Sequence, residues 1–178
     1  MRLILAIIFW ISSLWAYQYN SFLLKTQADL YPKILLFDKK LDEKIDDGVI
    51  DFAIIYEGVD RFTAQTLAKK INERYPKVDR FALRARAVNV WRYLADKKRS
   101  VDALYVLKLS KSSCKKVAKK AIKSQTVTFV YDLEDLRCGF LVGIDIEREV
   151  HIYLNKKVLL EGQYDFVEDF YLMVRFVE

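Results

Sequence analysis

Histidine and cysteine are scarce in this chain of 178 residues, which contains one His and two Cys. A conventional zinc site takes four Cys or His ligands, so the composition excludes one. Any catalytic triad with an imidazole base would have to use His151, and a single His between Val150 and Ile152 in an apolar stretch is typical of a surface or hydrogen-bonded residue. The sequence therefore predicts neither a metal site nor a His-dependent enzyme.

Glycine and proline are also few, with five Gly and two Pro. The chain has no G-x-G-x-x-G, no P-loop, no G-x-S-x-G and no H-E-x-x-H, so the motifs that hold nucleotide phosphates or a catalytic metal are missing. A content of 53% apolar residues excludes a disordered or collagenous chain. We expect one globular domain that binds no cofactor and is not an enzyme.

Long apolar runs are limited to the N-terminus. Arg2 is followed by the apolar stretch Leu3–Trp10 and then by Ala16, a pattern typical of a secretory signal peptide cleaved before Tyr17. An uncleaved anchor is the alternative, but polar residues after Ala16 keep the stretch shorter than the roughly 20 residues that span a bilayer. We expect residues 1–16 to be a signal peptide, residues 17–178 to be one domain, and the protein to be periplasmic.

Positive charge is concentrated in one segment. The formal net charge is +6, and the segment from Lys108 to Lys123 holds seven Lys without an acidic residue. Nucleic acid or an anionic membrane could attract such a helix. However, its apolar face carries no aromatic side chain that would stack on a base or insert into lipid. We expect a solvated face that could meet an acidic protein, and no nucleic-acid partner.

Three short apolar runs, rich in β-branched and aromatic residues, predict buried parallel strands: Ile50–Tyr56, Val101–Leu107 and Val127–Tyr131. Helical patterns follow the first two runs, with Asp60 and Ser110 as capping residues. The alternating segment from Phe81 to Ala87 predicts a strand nearer the sheet edge. The predicted fold class is α/β, a single three-layer domain with a mostly parallel sheet and flanking helices.

The C-terminal part predicts different elements. Phe140–Ile146 and Val150–Leu154 indicate an antiparallel hairpin, and Asn155 can cap a short helix after it. The apolar positions from Phe166 to Phe176 favour a last helix or an extended tail.

Two further local predictions concern the connections. Spacing of apolar residues from Tyr31 to Leu41 predicts an opening helix with Pro32 in its first turn. The polar residues from Arg92 to Ser100 predict a loop.

Cys114 and Cys138 are the two cysteines, and in an exported chain such a pair usually forms a disulfide. The helix that carries Cys114 begins at the carboxyl edge of the sheet, and the loop that carries Cys138 leaves the next strand at the same edge. The alternative is that Cys114 is a small buried residue on the apolar helix face. We expect the disulfide.

Polar residues at the carboxyl ends of the strands mark the place where an α/β sheet would bind a ligand, and helix N-termini there offer N–H groups to an anion. The candidate residues for this ligand or partner edge are Gly58, Asp60, Ser110, Ser112, Ser113, Tyr131 and Asp132. Helix capping alone is an alternative explanation for these residue types. The neighbouring acidic cluster of Asp132, Glu134 and Asp135 lacks the spacing of a calcium loop and indicates a solvated loop.

Several segments resemble YfiR-like periplasmic regulators: VDALYVLKL at 101–109, TVTFVYD at 126–132, GIDIEREVHIYLNKKVLL at 143–160 and QADLYPKILLF at 27–37. In that family a strand ending in Asn opens a helix, as Leu154 and Asn155 do here. The resemblance implies a small non-enzymatic α/β sandwich that represses a membrane diguanylate cyclase and responds to redox or envelope stress. Family members carry a second disulfide and a Cys where this chain has Asp102, which removes part of the basis for redox control.

The same segments also look like one lobe of a solute-binding protein of ABC importers, in which residues near Asp132 and Gly139 would line the cleft. We therefore expect a periplasmic regulator that binds the periplasmic domain of a membrane signalling protein, with a small-molecule ligand and a homodimer as further options. A single-lobe solute-binding module that works with an importer or a receptor is the alternative.

Overall fold

The computed structural model describes residues 17–45, 47–97 and 101–178. The predicted signal peptide, residues 1–16, lies outside these residues. The described strands are β1 (Val49–Tyr56), β2 (Lys77–Val78), β3 (Phe81–Asn89), β4 (Ala103–Val106), β5 (Val127–Val130), β6 (Val142–Ile146), β7 (Val150–Asn155) and β8 (Val174–Val177). The described α-helices are α1 (Ser21–Ile34), α2 (Leu41–Lys44), α3 (Arg61–Arg74), α4 (Val90–Ala95), α5 (Lys111–Lys123), α6 (Lys156–Glu161) and α7 (Glu168–Met173).

These strands form one sheet in the order β2-β3-β1-β4-β5-β6-β7-β8. Strands β3, β1, β4, β5 and β6 run parallel to one another, while β2 is antiparallel to β3. The hairpin of β6 and β7 is antiparallel, as predicted, and β8 then pairs in parallel with β7. The α/β fold class with a mostly parallel sheet is thus confirmed.

The central strand β1 supplies side chains to both faces of the sheet because successive residues of a strand point in opposite directions. Phe52 and Ile54 belong to the apolar cluster that includes residues of α1 and α3. Ala53 and Ile55 belong to the cluster that includes residues of α4 and α5. All four are fully buried, so the sheet is the middle layer between two layers of helices.

The first helix differs from its prediction. It begins at Ser21, where the side chain of Asn20 accepts hydrogen bonds from the N–H groups of Phe22 and Leu23, and it ends at Ile34. Pro32 therefore lies in the last turn and not in the first, and the placement predicted for it is wrong. The buried ring belongs to the apolar side of α1, and the missing N–H of the proline removes one hydrogen bond to the preceding turn of the helix.

The predicted loop from Arg92 to Ser100 is also partly wrong, because α4 covers Val90 to Ala95. Asn89 caps this helix by accepting a hydrogen bond from the N–H of Trp91, and Val90 and Tyr93 are buried. The last apolar segment forms both predicted alternatives in succession, the short helix α7 and then the strand β8.

Two other predictions are confirmed. The side chain of Asn155 caps α6 by accepting a hydrogen bond from the N–H of Val158, 3.1 Å away. Cys114 on α5 and Cys138 form the disulfide, with 5.9 Å between their Cα atoms. No helix in the described part of the chain combines the length and apolar character needed to cross a membrane.

Candidate ligand site at the switch point of the sheet

The order of the strands creates a crevice between β1 and β4. From β1 the chain passes through α3 to β3 on one side, and from β4 it passes through α5 to β5 on the other side. Where parallel connections diverge in this way, the helices leave a gap beyond the carboxyl ends of the two strands, which is the usual ligand site of an open α/β sheet. We call this gap the switch-point crevice.

The structure places the predicted edge residues around this crevice. Gly58 and Asp60 follow β1, the three serines Ser110, Ser112 and Ser113 follow β4, and Tyr131 and Asp132 follow β5. Gly58 has a φ of +59° and is exposed, so it provides the left-handed turn out of β1. Ser112 is exposed as well.

The side chain of Tyr19 occupies the crevice. Its hydroxyl donates a hydrogen bond of 2.6 Å to Oδ2 of Asp60. The same hydroxyl accepts a hydrogen bond of 3.2 Å from the backbone N–H of Lys108. The hydroxyl of Tyr19 thus connects Asp60, after β1, with Lys108, after β4. The segment that carries Tyr19 covers the centre of the crevice, although the sequence did not predict it to be part of the site.

Three tyrosine rings pack edge to face over the crevice. The ring centroids of Tyr19 and Tyr131 are 4.8 Å apart, and that of Tyr17 is 5.0 Å from Tyr19. The hydroxyl of Tyr131 accepts a hydrogen bond of 2.8 Å from the N–H of Asn20. Edge-to-face pairs at these distances are favourable, so residues 17–20 form an ordered cover, which we call the tyrosine cover.

The partner of Tyr19 is a buried carboxylate. Asp60 precedes α3 as expected for a cap, but its side chain makes no capping hydrogen bond and binds the phenol instead. Burial raises the pKa of Asp60, and the hydrogen bond from Tyr19 opposes that effect. Burial also raises the pKa of Tyr19, so the phenol stays protonated and donates. Without Tyr19, Asp60 would need another donor.

The start of α5 is already bound to a carboxylate of the chain. Glu57 accepts hydrogen bonds from the N–H of Ser110 at 2.6 Å, from Oγ of Ser110 at 3.2 Å and from Oγ of Ser113 at 2.8 Å. Burial raises the pKa of Glu57, but these hydrogen bonds outweigh it and hold the pKa below its ordinary value. The donors that the sequence suggested for an anionic ligand are therefore taken by Glu57.

A second charged cluster borders the crevice. Nζ of Lys108 lies 2.8 Å from Asp132 and 3.4 Å from Asp135. Burial alone would lower the pKa of Lys108, yet the hydrogen bond to Asp132 raises it overall. For Asp132 the effect of burial is outweighed by the same bond, which lowers its pKa.

Asp135 corrects the expectation of a solvated acidic loop, because it is 8% exposed. Its Oδ2 is buried and has no hydrogen-bond partner among the residues that the structure describes, and burial raises the pKa of Asp135. The carboxylate lies within 4.8 Å of the sulfur atoms of Cys114 and Cys138. Those sulfur atoms are bonded to each other, so they offer no thiolate to a metal ion.

The site therefore unites most of the predicted residues and adds others. Sequence reasoning missed Tyr17, Tyr19, Glu57 and Lys108. A signal existed for the last two, since each directly follows one of the apolar runs that predicted a parallel strand. For the two tyrosines no local pattern indicates which distant strands they cover.

Four carboxylates and one ammonium group surround the crevice: Glu57, Asp60, Asp132 and Asp135, with Lys108. Two of the carboxylates neutralise the ammonium group, one binds the start of α5 and one binds a phenol. The crevice is thus suited to a neutral or cationic hydrogen-bond donor rather than to an anion.

No family model and no curated protein matches the chain. Matches were found among solved structures. A conserved domain protein from Vibrio cholerae superposes with a TM-score of 0.59 at 10% identity, over 87% of this chain and 60% of that one. An ABC domain from Streptococcus pneumoniae in complex with L-Trp gives a TM-score of 0.56 at 11% identity, over 87% and 62%.

A third neighbour is the ligand-free, open form of a substrate binding protein with adhesive properties from Clostridium difficile. It gives a TM-score of 0.53 at 14% identity, over 72% of this chain and 54% of that one. The chain thus spans about three fifths of the length of these neighbours. At such identities the similarity shows a shared fold alone.

Proposed function

We propose that this protein is a non-enzymatic binding module whose ligand site is the switch-point crevice. The observation that carries the proposal is the convergence of Asp60 and the N–H of Lys108 on a single hydroxyl group, that of Tyr19. Polar groups that converge in a concave, partly apolar place are the usual signature of a small-molecule site. On this proposal the tyrosine cover takes the position that the ligand would occupy.

The expected ligand carries a hydroxyl or ammonium donor and a ring. The donor would replace the phenol of Tyr19 on Asp60, which is buried and would otherwise lose its partner. The ring would pack on Tyr131, whose side chain is 4% exposed. Binding requires displacement of the tyrosine cover, so cover and ligand compete for one place.

The names of the structural neighbours support this choice over the regulation of a diguanylate cyclase. One neighbour is described in complex with L-Trp and another as a substrate binding protein, whereas none of the three named neighbours is described as a regulator of a cyclase. Aromatic amines and amino acids are therefore the first ligands to test. Export to the periplasm belongs to the same proposal, and the disulfide is compatible with it.

The test is calorimetric titration with tyramine, L-Tyr and L-Trp. We expect Tyr19→Ala to bind tyramine about fivefold to tenfold more tightly than the unaltered protein, because the internal competitor is removed. Asp60→Asn in the Tyr19→Ala background should abolish this gain. The matched control is Tyr75→Ala at the far end of α3, which truncates a half-buried tyrosine away from the crevice.

Three results would contradict the proposal. They are the absence of binding in Tyr19→Ala, equal binding with and without the Asp60 carboxylate, and chemical conversion of the ligand by the purified protein. A rise in melting temperature only with the periplasmic domain of a membrane protein would favour the regulator instead.

A further inference from the structure

A second concave surface lies between α5, the turn Leu133–Cys138 and α6. Its volume is about 870 Å³, within the range of small-molecule sites. None of the residues discussed for the switch-point crevice lines it, apart from the disulfide residue Cys138 that borders both regions. We call it the basic groove.

Cationic side chains from three elements converge on the basic groove. Lys115, Lys119 and Lys123 follow one another at intervals of four along α5, which places them on one side of the helix. Arg137 comes from the turn and Lys157 from α6. None of these five cations makes an ion pair with a residue that the structure describes.

The acidic side chains of the groove do not balance this charge. Glu161 and Glu178 are the two carboxylates among its lining residues, so five cations and two anions leave a surplus of three positive charges. Like charges held on one concave wall repel each other, and a multivalent anion relieves that repulsion.

The floor of the groove is apolar. Ile122, Leu136 and Val158 contribute to it. The side chain of Asn155, one of three amides among the lining residues, is hydrogen-bonded within the protein: it donates to the carbonyl of Leu136 at 3.0 Å and accepts from the N–H of Val158 at 3.1 Å. A ligand in the groove would therefore contact cationic side chains at the sides and an apolar surface at the bottom, on which an organic ring could pack.

The shape argues against larger partners. A flat bilayer could not reach the floor, and none of the exposed large apolar side chains of the described residues lines the groove, so nothing there would insert into lipid. A nucleic-acid strand would be expected to meet aromatic stacking platforms, which the lining residues do not include.

We propose that the basic groove binds a small organic polyphosphate. Its phosphates would contact the lysines of α5 together with Arg137 and Lys157, and its organic part would cover the apolar floor. The inference concerns a site separate from the switch-point crevice and does not depend on the function proposed for that crevice.

The experiment is calorimetric titration of the purified protein with ATP, inorganic tripolyphosphate and AMP. ATP should bind with a stoichiometry of one and more tightly than tripolyphosphate, because of the floor, and AMP should bind more weakly than either. Lys119→Glu should weaken ATP binding by about tenfold or more through the reversed charge. Lys157→Glu, on a different helix, should reproduce that loss.

Lys116→Glu is the matched control. It makes the same change of charge at another exposed position of the same helix, but Lys116 does not line the groove, so ATP affinity should change by no more than about twofold. Unchanged melting curves would establish that the variants remain folded.

Equal weakening by Lys116→Glu and Lys119→Glu would overturn the proposal, because it would indicate only diffuse attraction to a basic helix. Absence of ATP binding at low ionic strength would also overturn it. So would binding to phosphatidylglycerol vesicles that depends on Lys119 and is unaffected by ATP.

Discussion

Gln27 connects three elements from inside the core and is fully buried. Its Nε2 donates hydrogen bonds to the carbonyls of Tyr131 at 2.9 Å and Ile144 at 3.0 Å, and its Oε1 accepts one of 2.6 Å from the hydroxyl of Tyr105. The pairing of β5 with β6 ends one residue before Tyr131. The amide of α1 therefore binds both strands at the point where they stop binding each other.

Replacing this amide by an apolar side chain of similar size should destabilise the fold strongly. Gln27→Leu leaves two buried carbonyls and one buried hydroxyl without partners, and we expect the free energy of unfolding to fall by about 3 kcal/mol. Urea denaturation followed by circular dichroism measures the change. Gln65→Leu on the exposed side of α3 is the matched control, and an equal loss in both variants would contradict the explanation.

Residues of the crevice differ in how far the sequence could predict them. Ser110, Tyr131 and Asp132 follow directly from the carboxyl-edge rule because they stand at the end of an apolar run or shortly after one. Tyr19 could not be found in this way, since its role depends on a contact with Lys108, 89 positions away. The pairing of Glu57 with Ser110 is similarly non-local, because it requires β1 and β4 to be neighbours.

At the scale of elements, the disulfide fixes the start of α5 to the turn that follows β5. It closes a segment of 24 residues that includes α5 and β5. Cross-linking a loop of this length restricts the unfolded chain, which in the chain-entropy description stabilises the folded state by about 3 kcal/mol. The turn held in this way also carries Arg137 to the basic groove.

Removal of the cross-link should therefore lower stability without changing the fold. The double variant Cys114→Ala, Cys138→Ala should unfold at a lower urea concentration, corresponding to a loss of about 3 kcal/mol. Its far-ultraviolet circular dichroism spectrum should match that of the unaltered protein. Dithiothreitol should shift the urea midpoint of the unaltered protein and leave that of the double variant unchanged; a shift in both would show that the disulfide is not the cause.

Strands that are buried on both faces were predicted well from their apolar residues. Elements whose conformation depends on packing against distant parts of the chain were not. Strand β1 ends in five consecutive apolar residues, Phe52–Tyr56, which only a sheet covered on both faces can bury. The helix α4 was missed because its six residues are too few to show a helical period, although Asn89 was available as a capping signal. Pro32 was placed at the wrong end of α1 because its preference for a first turn yielded to burial of its ring.

At the scale of the whole molecule, the two apolar clusters share the same strands. Phe52 and Ile54 pack on one side of β1, and Ala53 and Ile55 on the other. If the sheet unfolds, both clusters lose the strand side chains against which their helices pack. The three-layer arrangement could be predicted because the apolar runs required two covered faces, whereas the helices that cover each face depend on non-local packing.

This sharing predicts a single cooperative unfolding transition. Near-ultraviolet and far-ultraviolet circular dichroism should give the same urea midpoint, and the calorimetric enthalpy should equal the van't Hoff enthalpy. Tyr93 lies in one cluster and Tyr31 in the other, so aromatic signals report on both faces. Two separated transitions would show that the faces unfold independently.

The tyrosine cover consists of four consecutive residues that hold the crevice through side chains and one backbone N–H, without joining the sheet. Its composition can therefore be exchanged while the scaffold stays intact. On the proposed function, stronger or weaker aromatic contacts at these four positions would change the ligand concentration needed to open the crevice, so variants of one protein could serve as a graded series of biosensors.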